Sequence, residues 1–215
     1  MKIIKNSKDK LYKGFLLVKP DGLRYTKKVI KQLKKDKYKI SGFYLIKDFL
    51  SFSDDIYKIS KNEDFNFYEI MHINNIIASK LWGNTAILII VEKQEESLLS
   101  FLRKLDKFKS QIRNIYSLSK QKILHVLINC DELGVDVSCS IKGEVKIVKD
   151  NDTLVPYRYP DNHGNFVWIG FYLLHSSDCD NKIYEQEMNY IRNQKLFKIP
   201  RFLLGHMTKS YSKML

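Results

Sequence analysis

The sequence predicts an α/β sandwich of the ferredoxin-like kind, with helices packed on one face of a small antiparallel sheet, and three observations predict it. Short aliphatic and β-branched runs alternate with stretches of helical spacing, in the order β-α-β-α-β-α over the first half of the chain. The 215 residues are 44% hydrophobic and 13% aromatic, enough to bury one substantial core. Only 9 Gly and 4 Pro are present, which excludes collagen-like, low-complexity and disordered classes.

Residues 1–11 are polar and lysine-rich and read as a flexible N-terminus. Gly14-Phe-Leu-Leu-Val18 is a strand that stops at Lys19-Pro-Asp-Gly22, since proline cannot donate to the ladder and glycine accepts a turn. Between 25 and 37, Val29, Ile30 and Leu33 recur at helical spacing beneath a wet face of lysines. The segment 38–49 alternates and is rich in Ile, Tyr and Phe, the mark of a second strand. One or two helices follow over 54–81, with Ile56, Ile59, Phe67, Ile70, Met71 and Ile77 as their buried side. The run 85–91 has the look of a strand buried on both faces, and 95–108 returns to helical spacing through Leu98, Leu99, Leu102 and Leu105. Beyond it, 123–128 and 145–148 read as strands, 150–164 as a polar loop, 166–174 as one long strand and 181–194 as a final helix. A basic extension, 195–215, closes the chain, so the domain spans 12–194.

Lys and Arg number 37 against 24 Asp and Glu, a formal charge of +13 that favours anionic partners without choosing among nucleotides, nucleic acid and acidic surfaces. The longest purely apolar run, 86–91, is far short of the roughly 18 residues a membrane span needs, and the first residues lack the apolar core of an export signal. Three cysteines without metal-ligand spacing argue against a disulfide framework. A cytoplasmic protein without membrane contact is the expectation.

Two short segments carry chemistry. The first is Leu16-Leu-Val-Lys-Pro-Asp-Gly22; the second is Tyr172-Leu-Leu-His-Ser-Ser-Asp178, followed by a helix with Glu185 and Glu187. Either alone reads as a plain turn or a core histidine. Together, in this order, they resemble the nucleoside diphosphate kinase family, whose first strand ends in V-K-P-D-G and whose catalytic histidine lies in I-H-G-S-D before the last helix. Tyr57, Lys61 and Phe65 fall at the spacing of the family's Y-x-x-x-K-x-x-x-F segment. The strand at 83–92 is similar to the family's S-G-P-V-V-A-M-V-W-E, and Ser140-Ile-Lys-Gly-Glu144 is similar to its T-I-R-G-D. The resemblance covers about residues 12 to 192.

It implies a nucleoside diphosphate kinase-like fold and a phosphotransferase that moves the γ-phosphate of a nucleoside triphosphate to a diphosphate through a phosphohistidine on His175. Histidine suits this role because its near-neutral pKa leaves a ring lone pair available. The resemblance makes Glu187 the carboxylate that fixes the tautomer of His175, with Glu185 the alternative register. Lys19 would neutralise charge on the transferring group, Tyr57 would donate to phosphate or to the histidine region, and Phe65 would stack on the base. Arg103 and Lys142 would bind phosphates. Mg²⁺ would arrive with the nucleotide, with Asp178 as an outer contact.

The chain also departs from the family. Ser176 stands where the family has glycine, Tyr172 where it has asparagine and Lys142 where it has arginine, which loses bidentate geometry. The segment 146–167 is an insertion next to the histidine, a candidate lid or specificity loop. The Thr-Asn-Pro segment of the family's oligomer-packing loop is missing, so a homo-oligomer stays open. The rival readings are a catalytically impaired nucleotide-binding or partner-binding module of the same fold, a kinase for an unusual nucleotide, and, less favoured, a nucleic-acid binder.

Overall fold

Apolar residues at consecutive positions, from Phe15 to Val18 and from Ala86 to Val91, leave neither side of a strand polar, so each strand needs cover on both faces. In the computed structural model, which describes residues 9–59, 71, 74–76, 78, 79, 82–116, 155–158, 166–169, 173–177, 179–201, 203 and 204, both faces are covered. The main sheet is built from β1 (Lys10–Val18), β2 (Lys39–Ile46), β3 (Ala86–Glu95), β6 (Leu174–His175) and β7 (Phe197–Lys198) in the order β6-β1-β3-β2-β7. Every neighbouring pair is antiparallel. The 3₁₀ segment Pro20–Tyr25 and α1 (Thr26–Lys35) carry the chain from β1 across to β2, and β3 fills the gap between them, the split arrangement of ferredoxin-like sheets.

Leu16, Val18, Ile87, Ile89 and Val91 face α1 and α3 (Leu98–Tyr116), meeting Val29, Leu33, Phe101, Leu102, Leu105, Phe108 and Ile112. Phe15, Leu17, Leu88 and Ile90 face the other way, onto Phe49, Phe52 and Ile56 of α2 (Phe49–Ile59) and Met188 and Ile191 of α4 (Asn181–Asn193). The expectation of helices on one face is thus corrected. Two-residue periodicity splits each continuous apolar run into two sets, and one layer of helices cannot bury both.

Several boundaries also move. Lys10 and Leu11, placed by sequence in the N-terminus, belong to β1, where Lys10 pairs with Glu95. Residues 197 and 198, placed in the C-terminal extension, add β7 to the sheet edge, and Ile199 and Leu204 are buried in the core. α2 starts at Phe49, inside the segment read as a strand, because Asp48 and Asn84 accept from the first amides of the helix, Ser51 N–H at 3.2 Å and Leu50 N–H at 2.8 Å. The expected long strand over 166–174 is two strands in two sheets. β5 (Phe166–Ile169) pairs with β4 (Val155–Arg158), which lies in the segment read as a polar loop, whereas β6 joins the main sheet. The strands expected at 123–128 and 145–148 lie outside the described residues, as do Phe67, Ile70 and Ile77.

The end of α1 shows an unusual residue choice. Tyr38 N–H bonds Leu33 O at 2.9 Å and Lys37 N–H bonds Lys34 O at 3.1 Å, the paired bonds of a Schellman motif. The left-handed position that glycine normally fills holds Lys37, at φ 64°. Lys37→Gly is therefore expected to raise stability by about 1 kcal/mol, the cost of a side chain in that region. Urea unfolding checks this, and an unchanged midpoint would refute it.

Candidate active site

β1 delivers its last side chains to the edge where β6 pairs, with Leu17 opposite His175. Beyond Val18 the ladder continues by one bond, Lys19 N–H to Leu173 O at 2.8 Å. The chain then turns, and the buried Asp21 accepts Leu173 N–H on Oδ2 at 2.8 Å. Gly22 closes the contact: a Cβ there would sit 2.3 Å from Leu173 O. Both backbone groups of Leu173 are thus held by the Lys19-Pro-Asp-Gly turn. This grip sustains the left-handed Leu173, φ 53°, a conformation that costs a leucine energy on its own. The two sequence segments that carry chemistry are therefore one interlocked unit, and the turn sets where the histidine strand begins.

His175 is 5% exposed. Its Nε2 lies 3.4 Å from Oε1 of Glu187, which is fully buried. Glu187 is brought there by α4, whose start is set by Asp180, accepting Ile183 N–H on Oδ1 at 2.9 Å. Tyr57, on α2, places its ring centroid 4.8 Å from that of His175, and Phe15 flanks the imidazole at 5.8 Å. Lys19 Nζ stands 5.8 Å from the centre of the Tyr57 ring.

The electrostatics are those of charges held out of water. Burial lowers the Lys19 ammonium to a pKa of about 8, with Asp21 opposing the shift and Arg113 adding to it. Burial raises the Asp21 carboxyl, with Lys19 opposing. Arg113, on α3, donates to Leu174 O from Nε at 3.2 Å and Nη2 at 2.6 Å, so a guanidinium is fixed one residue from the histidine. Ser176 and Ser177 follow the ring, both buried, with hydroxyl oxygens that have no partner among the described residues.

The fold brings His175, Lys19, Tyr57 and Glu187 together. Glu185 is exposed on α4. Arg103 is exposed on α3, about 15 Å along the helix from Arg113. Phe65, Lys142 and Asp178 lie outside the described residues. Sequence reasoning missed Asp21, taken for a turn former, and Arg113. The second had a readable signal: Phe108 and Ile112 continue the four-residue spacing, so the helix runs past 108 and carries Arg113 with it. Among the described residues no cluster of three His, Cys, Asp or Glu side chains is placed to hold a metal ion. No helix among them is long and apolar enough to cross a membrane.

No protein-family model and no curated protein matches the chain. Among solved structures, it is similar to a halophilic nucleoside diphosphate kinase from Halobacterium salinarum in complex with CDP, at 15% identity and a TM-score of 0.43 over 89% of this chain and 95% of that one. A nucleoside diphosphate kinase from Aquifex aeolicus matches at 11% identity and TM-score 0.43, over 85% and 95% of the two chains. A transition-state mimic of the enzyme from Borrelia burgdorferi, with bound vanadate and ADP, matches at 14% and 0.41, over 89% and 93%.

Proposed function

We propose that the chain is a phosphotransferase that carries the γ-phosphoryl group of a nucleoside triphosphate on His175 and passes it to a nucleoside diphosphate. The observation that supports this most is the buried His175 and Glu187 pair with Lys19 and Tyr57 against it. A proton on Nε2, donated to Glu187, leaves the Nδ1 lone pair as the nucleophile. Attack of Nδ1 on the γ-phosphorus forms the N–P bond as the bond to the β–γ bridging oxygen breaks, and the diphosphate leaves with that electron pair. The reverse attack, by a diphosphate oxygen on the phosphohistidine, restores the imidazole. Glu187 balances the positive charge the ring acquires, and Lys19 neutralises the non-bridging oxygens of the group in flight. Arg113, fixed beside His175 by its bonds to Leu174 O, would take the phosphate-binding role that the sequence reading assigned to Arg103. Mg²⁺ carried on the nucleotide phosphates would supply further charge neutralisation.

Incubation with γ-labelled ATP and Mg²⁺, followed by a chase with GDP or CDP, tests the proposal. Acid-labile, base-stable label that moves to the diphosphate is expected. Nucleotide binding without any label would replace the enzyme by a binding module, and label that does not move would redirect the search to an unusual acceptor.

Lys19 gives the reaction a pH dependence of defined sign. Below about pH 8 the ammonium is charged and attracts phosphate; above it the free protein loses that charge. kcat/KM is expected to fall as pH rises through about 8, and Lys19→Arg, charged throughout, to lack that limb. A limb that persists in Lys19→Arg would assign it to another group.

A further inference from the structure

At the end of the sheet remote from His175, the α1–β2 turn, the far end of β3 and the middle turns of α3 line an open surface pocket of about 340 Å³. Its lining includes Lys35, Lys37, Lys93, Lys104, Lys107 and Tyr38, with Asp36 the one carboxylate among the lining residues. Lys93 pairs with Tyr12 on β1 and Ile87 with Val18, which puts the pocket about 20 Å along β1 from the histidine site.

The charge there is unbalanced. Glu95 is shared by Lys93 and Lys104, and Asp36 accepts from Gln32 Nε2 at 3.0 Å. Lys35, Lys37 and Lys107 are exposed and form no ion pair among the described residues. Lys37 is also held in the left-handed conformation where glycine would be easier.

A second observation is independent of the lysines. Tyr38 is 5% exposed, and its buried hydroxyl has no hydrogen-bond partner among the described residues. An orphaned buried donor is costly and calls for an acceptor. Burial and the Glu95 and Asp36 carboxylates raise the phenol, so it keeps its proton and can only serve an anion as a donor. Several compact ammonium charges around one donor suit phosphate oxygens, and the volume takes a phosphate-bearing group.

We propose that this pocket binds the phosphate groups of a polyanion, presented either by a single-stranded nucleic acid or by a free polyphosphate.

The test titrates labelled single-stranded oligo(dT) and inorganic tripolyphosphate over a salt series against matched variants of the full chain. Lys37→Gln, Lys104→Gln and Lys107→Gln together are expected to weaken oligo(dT) binding at least tenfold and to lower the salt slope by about two. A control triple that removes equal charge elsewhere, Lys47→Gln, Lys182→Gln and Lys198→Gln, is expected to cost less than threefold. Tyr38→Phe, with charge unchanged, should weaken tripolyphosphate binding at least threefold without changing the slope. Lys37→Gly should bind more weakly while melting at a higher temperature, so its loss cannot be blamed on misfolding. Loss for both probes, each competing with the other, makes the phosphate groups the ligand; loss for oligo(dT) alone makes it a nucleic-acid strand; both support the pocket. Equal losses in the two triples, or wild-type affinity of Tyr38→Phe and the pocket triple for both probes, would overturn it. Phosphohistidine formation is expected to be unchanged in every pocket variant, which separates this site from the one at His175.

Discussion

His175→Ala is expected to reduce protein labelling from γ-labelled ATP by about three orders of magnitude or more, because no other group stands where the imidazole does. The ring packs against Phe15 and Tyr57, and its removal is expected to leave the sheet and both cores in place, so circular dichroism should match the parent. Glu187→Gln keeps the shape of a fully buried side chain while removing its charge. It is expected to slow labelling at least about tenfold, since the amide can present the wrong group to Nε2 and cannot balance the imidazolium. Undiminished label in His175→Ala would mean another nucleophile, and the proposed chemistry would fall with it.

The second large effect lies in the turn. Gly22→Ala is expected to destabilise the protein by about 3 kcal/mol, because a Cβ 2.3 Å from Leu173 O forces backbone to move where no flexible side chain can give. Asp21→Ala removes the acceptor of Leu173 N–H and should cost about 2 kcal/mol for the orphaned amide. It should also slow labelling of His175 under conditions where the protein is fully folded, because the left-handed Leu173 that sets the histidine strand is no longer held. Asp21→Asn offers an oxygen at the same place and is expected to restore most of that rate, an outcome that separates positioning from bulk stability. Urea unfolding and the labelling rate, measured on the same samples, decide the matter. A Gly22→Ala protein within 0.5 kcal/mol of the parent, the usual range for an exposed substitution, would show that the contact yields.

Much of this was legible because it is local. A strand that ends at Lys-Pro-Asp-Gly, lysine-faced helices with apolar spacing, and a buried run at 86–91 depend on periods of two and 3.6 that the chain displays directly. His175, Lys19 and Tyr57 could be picked as candidates from their neighbours in sequence. What local pattern could not do was choose between residues on the same helix. Glu185 and Glu187 differ by about 200° around α4, so one faces solvent when the other faces the histidine. Arg103 and Arg113 are separated along α3, and only the docking of that helix on the sheet decides which one reaches Leu174 O.

The sequence by itself determined the kinds and order of the elements over the first half of the chain, and the polar turn that ends β1. Tertiary structure decided that helices cover both faces of the sheet, that 166–174 is divided between two sheets, and that Asp21 is a clamp on Leu173 rather than a turn former. The physical reason is range. Periodicity and turn chemistry act over a few residues, whereas burial of a charge, a bond across 152 residues and the approach of a glycine to a distant carbonyl exist only once the sheet has assembled.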